Sequence, residues 1–411
     1  MEVVYHSCCG IDVHAKFLVA CFIRDGEKQI QRFSTMTGDL IKLREWLVQE
    51  GCTHVAIEST GVYWKPVFNI LERALKVILV NPEHVKALRG RKTDRKDCIR
   101  LAELLSVDLL QQSFIPPPQI RRLREFTRYR ESLVRTHTAI ANRIQKVMES
   151  GNIKLGQVAA NVLGVSGRAM LQALAAGQTD PVVMAEFAQG SLKRKKAELE
   201  LALRGEMNEA QRFVLGELLR RVKELEMADD KVNRQINQAI GKDPELFQAW
   251  ELLQTITGVG HLVAEVVIAE IGVNLRETFP TPAHLASWAG VCPGNKASGG
   301  KRLSGKSRKG NRYLRSALVQ AAWAATHTKQ TFLSTMYHRL VRRLGKRKAL
   351  IAVAHALTVI IYKVVDRKEP YKDLGADYYD RHYPEKQRKY LVKRLEALGY
   401  TVSLQQKSGV A

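Results

Sequence analysis

At 411 residues with 45% apolar content, the chain exceeds one ordinary core but has ample apolar surface to bury, which excludes wholesale disorder and predicts two or three domains. Lysine and arginine number 65 against 41 acidic residues, a formal net charge of +24, and a compact fold carrying that self-repulsion needs a polyanionic partner. Nucleic acid fits, because neutralising phosphates releases condensed counterions; a membrane does not, because Asp12 and His14 fall where a signal peptide needs an apolar run, and the longest apolar stretch, 349–365, carries His355 and Lys363 and reads as a buried core helix shorter than a typical span.

The first hundred residues alternate strands and helices. Ser7 to Ile11 is an apolar run ending at Asp12, and Phe17 to Ile23 is a second. A turn at Asp25-Gly26 leads to a third strand, Gln29 to Ser34, so the three form a meander. Asp39 to Glu50 sets Leu40, Leu43, Trp46 and Leu47 on one helical face. His54 to Ile57 is a fourth strand ending at Glu58. Val62 to Ala74 reads as a helix, and Lys76 to Val80 as a fifth strand closed by Asn81-Pro82. Three meandering strands followed by helix, strand, helix, strand is the order of an RNase H-like α/β sheet. Six cysteines (Cys8, Cys9, Cys21, Cys52, Cys98 and Cys292) include no C-x-x-C pair, which suggests free buried thiols in a reducing cytoplasm rather than a zinc site.

Pro116-Pro117-Pro118 breaks the chain. A long helix is expected from about Gln119 to Glu149, with Leu123, Phe126, Leu133, Ile140, Ile144 and Val147 along a seam that Arg130 and His137 interrupt. Gly151 to Gly190 is a softer helical stretch without an evident role. A second long helix is expected from Ser191 to Ile240, whose Leu215, Leu218, Val222, Leu225, Val232, Ile236 and Ala239 form a coiled-coil seam broken by Asp229. The seam suits either an antiparallel hairpin within one chain or self-association. From Leu252 the chain is mainly helical. Gly258-Val259-Gly260 lies between two helical patterns in the manner of a helix-hairpin-helix turn. Pro293 to Asn311 is rich in glycine, serine and lysine. A polar tail with one helix, Glu385 to Leu398, ends the chain. The expected organisation is a nuclease-like domain over 1–115, a helical coiled-coil linker or oligomerisation region over 116–250, a C-terminal domain over 251–372 and a tail over 373–411.

Four carboxylates stand out. Asp12 and Glu58 close the first and fourth strands, which are neighbours in an RNase H-like sheet. Asp94 and Asp97 fall three apart in Lys92-Thr93-Asp94-Arg95-Lys96-Asp97, on one helical face if Thr93 caps a helix. Four clustered carboxylates repel unless a cation sits among them, and hard oxygen ligands favour Mg²⁺ or Mn²⁺. Two such ions about 4 Å apart serve phosphodiester cleavage. Any one of the four alone is ordinary; the set, on this strand order in a basic chain, points to nuclease chemistry. In the C-terminal part, Lys296, Lys301, Arg302, Lys306, Arg308, Lys309 and Arg312 surround glycines and three serines, a phosphate-binding composition. Gly258 and Gly260 would let backbone N–H groups approach a phosphate. Arg121, Arg124 and Arg128 add cations on the long helix.

Gly10-Ile11-Asp12, Ile57-Glu58-Ser59-Thr60-Gly61-Val62-Tyr63, Val80-Asn81-Pro82 and Lys92-Thr93-Asp94-Arg95-Lys96-Asp97 resemble the DEDD insertion-sequence transposases, the IS-one-ten family with its eleven-eleven subgroup. The resemblance implies a RuvC-like N-terminal domain in which Asp12, Glu58, Asp94 and Asp97 bind metal. Gly290-Val291-Cys292-Pro293 and Ala297-Ser298-Gly299 resemble the family's serine element, which implies that Ser298 is the nucleophile, with Ser304 and Ser307 as alternatives. It further implies that the acidic site and the serine meet at one scissile phosphate, drawn from one protomer or from two of a homodimer or homotetramer. The expected partners are donor and target DNA, together with a structured non-coding bridge-type guide RNA. Two other readings stay open: a Holliday-junction-resolving nuclease using metal-activated water, and a non-catalytic nucleic-acid-binding protein.

Overall fold

A computed structural model describes residues 2–59, 61–81, 94–294, 296–307 and 309–405, and the chain divides into two compact units, 1–115 and 116–411.

In the N-terminal unit β1 Ser7–Val13, β2 Phe17–Arg24, β3 Glu27–Ser34, β4 His54–Glu58 and β5 Lys76–Val80 form one sheet in the order β3-β2-β1-β4-β5. The first three strands pair antiparallel, and β4 and β5 extend the sheet in parallel from β1. Connection length explains the mixture. Asp25 and Gly26 at φ 47° and 90° close a two-residue hairpin between β2 and β3. The parallel pairs need crossovers, which α1 Thr37–Gln49 and α2 Trp64–Leu71 supply. This is the mixed strand order expected of an RNase H-like sheet. One sheet face packs Ile11, Leu18 and Phe22 against Leu40, Leu43 and Leu47 of α1 and Val67 and Leu71 of α2. The other packs Cys8, Val19, Cys21 and Ala56 against Cys98, Leu101, Ala102 and Leu105 of α3 Asp94–Ser106. The expected Thr93 cap lies outside the described residues. All six cysteines are free, and five are buried. Burial pushes the Cys8 thiol up to about 11 and Cys52 up to about 12.

The second unit begins with α4 Pro118–Ser150, whose proline stands at the first helical position where its missing N–H costs nothing. Beyond it α5 Leu155–Val158, α6 Val165–Ala175, α7 Pro181–Ala185, a 3-10 turn at Gly190–Lys195 and α8 Lys196–Ala202 lead to α9 Glu209–Gly241. Gln119 reaches Asp243 just past α9, Arg130 reaches Asn233 and Gln211 reaches Ser150, which fixes α4 and α9 as an antiparallel pair. Leu215, Leu218, Val222, Val232, Ile236 and Ile240 are buried, as are Leu123, Leu133, Ile140, Ile144 and Met148 on α4. The apolar seam is therefore closed within one chain. The single helix expected over 191–240 is interrupted. At Gly205 a Cβ would meet Gly151 O at 2.2 Å and Asn152 backbone at 2.6 Å. The chain must stop being helical to cross there, and Asn208 with Gln211 then starts α9 with a capping box. The 151–190 stretch, which the sequence left without a role, caps the hairpin tip: its Leu155, Met170, Leu171, Leu174 and Met184 join Ile144, Leu199 and Leu215 in one core.

The remainder is α10 Pro244–Gln254, α11 His261–Ile271, α12 Leu275–Thr278, α13 Pro282–Trp288, a two-stranded ribbon of β6 Lys296–Ser298 and β7 Lys301–Ser304, then α14 Arg312–His327, α15 Phe332–Leu344, α16 Lys346–Arg367, α17 Tyr378–His382 and α18 Pro384–Glu396. α16 is longer than its apolar stretch suggests. By length and composition it could cross a membrane, but half of its apolar window is buried here, with Ala349, Val353, Leu357 and Ile361 in the interior.

Candidate active site

β1 and β4 run side by side in register, Gly10 opposite Ala56 and Ile11 opposite Ile57, so Asp12 and Glu58 leave the sheet at adjacent positions. Gly10 decides what lies over them. A Cβ there would sit 2.4 Å from both Cys98 O and Ala102 N, so only glycine lets α3 rest this closely on β1. That packing holds the first turn of α3, with Asp94 and Asp97, beside the strand ends.

Asp12 and Asp94 meet on His14. Its Nε2 lies 3.1 Å from Asp12 Oδ2 and 3.3 Å from Asp94 Oδ1, and the three residues offer donor atoms within 4.8 Å of one another. The Asp12 carboxyl is held above its ordinary range. Burial is the main cause, His14 opposes it, and the charges of Asp97, Asp94 and Glu58 add to it. Among the described residues Asp12, His14 and Asp94 are the ones brought close enough to share an ion, and Glu58 at the end of β4 and Asp97 in the first turn of α3 lie near enough for their charges to bear on Asp12. Their donor set, rich in hard oxygen with one imidazole nitrogen, fits a divalent cation such as Mg²⁺ or Mn²⁺. Sequence reasoning missed His14 as a site residue, although its place two residues after Asp12, at the strand's end, was visible.

Ser298 ends β6, and Gly299 and Gly300 at φ 54° and 74° form the two-residue turn before Lys301, the conformation in which a hairpin turn demands positive φ. The glycine-, serine- and lysine-rich segment is therefore a ribbon, and its base is clamped. A Cβ at Gly294 would meet Lys306 O at 2.2 Å, and one at Gly310 would meet Gly290 N at 2.4 Å. Ser307 accepts a 3.0 Å hydrogen bond from Arg315. The side chains of Lys296, Ser298, Lys301, Arg302 and Ser304, and Arg308 entirely, lie outside the described part. Lys309 and Arg312 are exposed.

At the foot of the ribbon Asn311 caps α14 through the N–H groups of Tyr313 and Leu314 and donates to Glu270 Oε2 at 2.6 Å. Glu270 is fully buried and also takes both nitrogens of Arg128, at 2.8 and 2.9 Å. Arg124 donates to the carbonyls of Ala269 and Glu270, and burial pulls its pKa down to about 10. Arg124 and Arg128 were expected to face nucleic acid; the structure commits both to this internal anchor instead. Gly258, expected at a phosphate, has a packing reason: at φ 88°, its Cβ would strike Ala321 O at 2.3 Å. Gly260 does start α11, as expected of a helix-opening residue. Arg130, the seam's interruption, pairs with buried Glu265. The sequence held a signal for this: two acids, Glu265 and Glu270, inside the apolar run His261 to Ile271, and three arginines, Arg124, Arg128 and Arg130, close together on one long helix.

Comparison with known proteins bears on both parts of the chain. The DEDD transposase family model of the IS110 type matches residues 9–153, which hold all four carboxylates, and the transposase IS116/IS110/IS902 family model matches residues 250–338, which hold the ribbon. The chain belongs to the IS110 family of transposases. Its relatives include the transposase for insertion sequence element IS1111A of Coxiella burnetii, 24% identical over 89% of this chain and 87% of that protein. A probable family 20 transposase of Pseudomonas aeruginosa is 24% identical over 77% and 85%. The pilin gene-inverting protein of Moraxella lacunata is 23% identical over 88% and 96%. Residues 339–405 of this IS110-family chain, including α16, α17 and α18, lie beyond both matched segments.

Proposed function

We propose that this IS110-family chain is a DNA transposase or recombinase that cuts and rejoins strands through Ser298, with Asp12, Glu58, Asp94 and Asp97 as the metal-holding acids. The observation that supports the reading is the meeting of Asp12 from β1 and Asp94 from α3 on His14, with donor atoms of all three within 4.8 Å of one another, while Glu58 ends the neighbouring strand β4 and Asp97 shares the first turn of α3. The relatives' names, transposase and gene-inverting protein, agree with breakage and rejoining of DNA. A divalent cation bound there supplies positive charge at the scissile phosphate and lowers the pKa of a coordinated hydroxyl. The chain's own part is to orient the carboxylates, through Gly10 and His14, and to present Ser298 at a hairpin tip with cations around it. Attack by the serine oxygen forms a phosphoserine ester and releases one DNA end as an alcohol; the reverse attack by another DNA end restores the serine. Conserving the ester bond is what allows rejoining without an external energy source. A structured guide RNA selects the sites by base pairing in this reading, which suits a chain whose exposed cations favour backbone over base edges.

The test is a denaturing gel of protein mixed with substrate DNA. The wild type is expected to give a protein–DNA adduct, absent in Ser298→Ala and in Asp12→Asn. An adduct in Ser298→Ala overturns the nucleophile. Cutting without any adduct favours hydrolysis by water, as in a junction-resolving nuclease. Purified protein freed of RNA that recombines its sites at full rate removes the guide.

A further inference from the structure

Beside the carboxylates lies a feature the proposed chemistry does not use. An open groove of about 820 Å³ runs along the β1–β2 turn and the edge strand β3, lined by His14, Lys16, Phe17, Arg32 and Phe33. Its floor is stacked. The Arg32 guanidinium lies 3.9 Å from the centroid of the Phe17 ring, and the His14 ring lies 4.7 Å from the same ring. His14 is the residue that touches Asp12 and Asp94, so the stack leads directly from the acidic cluster. Lys16 and Arg32 are exposed, and neither pairs with a carboxylate among the described residues. An arginine set over an aromatic ring, next to a second cation, gives this edge strand a cationic surface backed by a ring. Charge alone is enough to repel other strands from such an edge, and the ring beneath the Arg32 guanidinium is not needed for that.

The chemistry of this surface is specific. A guanidinium plane on an aromatic ring offers a stacking face to a nucleobase, and the two cations can reach the flanking phosphates. A base inside a duplex is already stacked on both faces, so the surface suits an unpaired nucleotide. We propose that the His14–Phe17–Arg32 groove is a nucleotide subsite that takes an unstacked base of the strand held at the acidic cluster. The inference rests on the reading of that cluster as the cutting site. It assigns to the groove the job of fixing which phosphate of a single strand reaches the acids, because one seated base sets the register of its neighbours.

The experiment is photo-cross-linking of the full chain to a short single strand carrying one 5-iodouracil, and to the same strand in a duplex, with the cross-linked peptides mapped by mass spectrometry. The single strand is expected to cross-link to the peptide bearing Phe17. In Arg32→Ala, which changes an exposed edge residue, that yield is expected to fall about tenfold, the size of one base-stacking interaction, while cross-links to the ribbon peptide, 296–312, stay. Phe17→Leu keeps the apolar volume and removes the ring, and is expected to abolish the same cross-link. Equal yields from the duplex, or a Phe17-peptide yield unchanged in both variants, overturn the subsite. Asp12→Asn separates the two claims: it is expected to stop cutting and keep the cross-link, and cutting that survives it removes the reading of the acids rather than the groove.

Discussion

At the scale of single residues, the Asp12 carboxylate works against folding. Asp12 is held above its ordinary 3.8 by burial and by three neighbouring acids, with His14 in opposition. A carboxyl raised in the folded state binds its proton more tightly there than in the unfolded chain, so its contribution to stability is full at low pH and is lost as pH rises through the folded value. Asp12→Asn removes that loss. It is expected to raise the melting temperature at neutral pH, with the gain shrinking as the pH approaches 3.8, measured by calorimetry across pH. The same variant is expected to lose all cutting, the trade a functional acid cluster makes. Glu270 is the opposite case. It is fully buried but paired with Arg128 and Asn311. Glu270→Ala removes the buried carboxylate that Arg124, Arg128 and Asn311 share, and is expected to cost about 3–5 kcal/mol in denaturant unfolding. The commitment of Arg124 and Arg128 to Glu270 was signalled only by the acids inside the apolar run 261–271, because a run of arginines on a long helix looks alike whether it faces solvent or another helix. His14 was passed over because a lone histidine at a strand's end is unremarkable until Asp94, eighty residues later, is seen beside it.

At the scale of elements, the strands were legible because each is short, apolar and closed by turn residues, and the parallel pairing of β1 with β4 followed from their order. What pattern alone did not give was close approach. Gly10 reads as an ordinary strand residue, yet its missing Cβ seats α3. Gly10→Val is expected to push α3 off the sheet, reducing cutting far more than DNA binding when the two are assayed in parallel. The long helix expected over 191–240 fails for the same kind of reason. The break falls at 203–208, where Gly205 weakens the helix and packs against the backbone of 151 and 152, and Asn208 starts the next one. Asn208→Ala, which removes the capping-box acceptor for Gln211 N–H, is expected to cost about 1 kcal/mol. In the ribbon, composition showed glycine, serine and lysine but not the pairing of Ser298 with Lys301 across a two-glycine turn.

At the scale of the whole molecule, charge is not spread evenly. Between Glu277 and Asp366 the sequence has sixteen lysines and arginines and no aspartate or glutamate. That stretch spans the ribbon, α14, α15 and nearly all of α16. Arg342, Arg343, Lys346, Arg347 and Lys348 are exposed where α15 gives way to α16, and the first turn of α16 has no acid to suit its dipole. Phosphates relieve that conflict. Binding to nucleic acid is therefore expected to weaken steeply with salt, and Arg347→Gln with Lys348→Gln to flatten the slope by roughly 0.9 for each phosphate no longer neutralised, with little change in preference among sequences. The central claim, that acids from two strand ends and one helix turn share a cation, is tested most directly by Mn²⁺ titration of the full chain followed by electron paramagnetic resonance. Saturable binding in the wild type and in Ser298→Ala, abolished in Asp12→Asn and Asp94→Asn, is the predicted result. Binding that is absent in the wild type, or undiminished in Asp12→Asn, would contradict it.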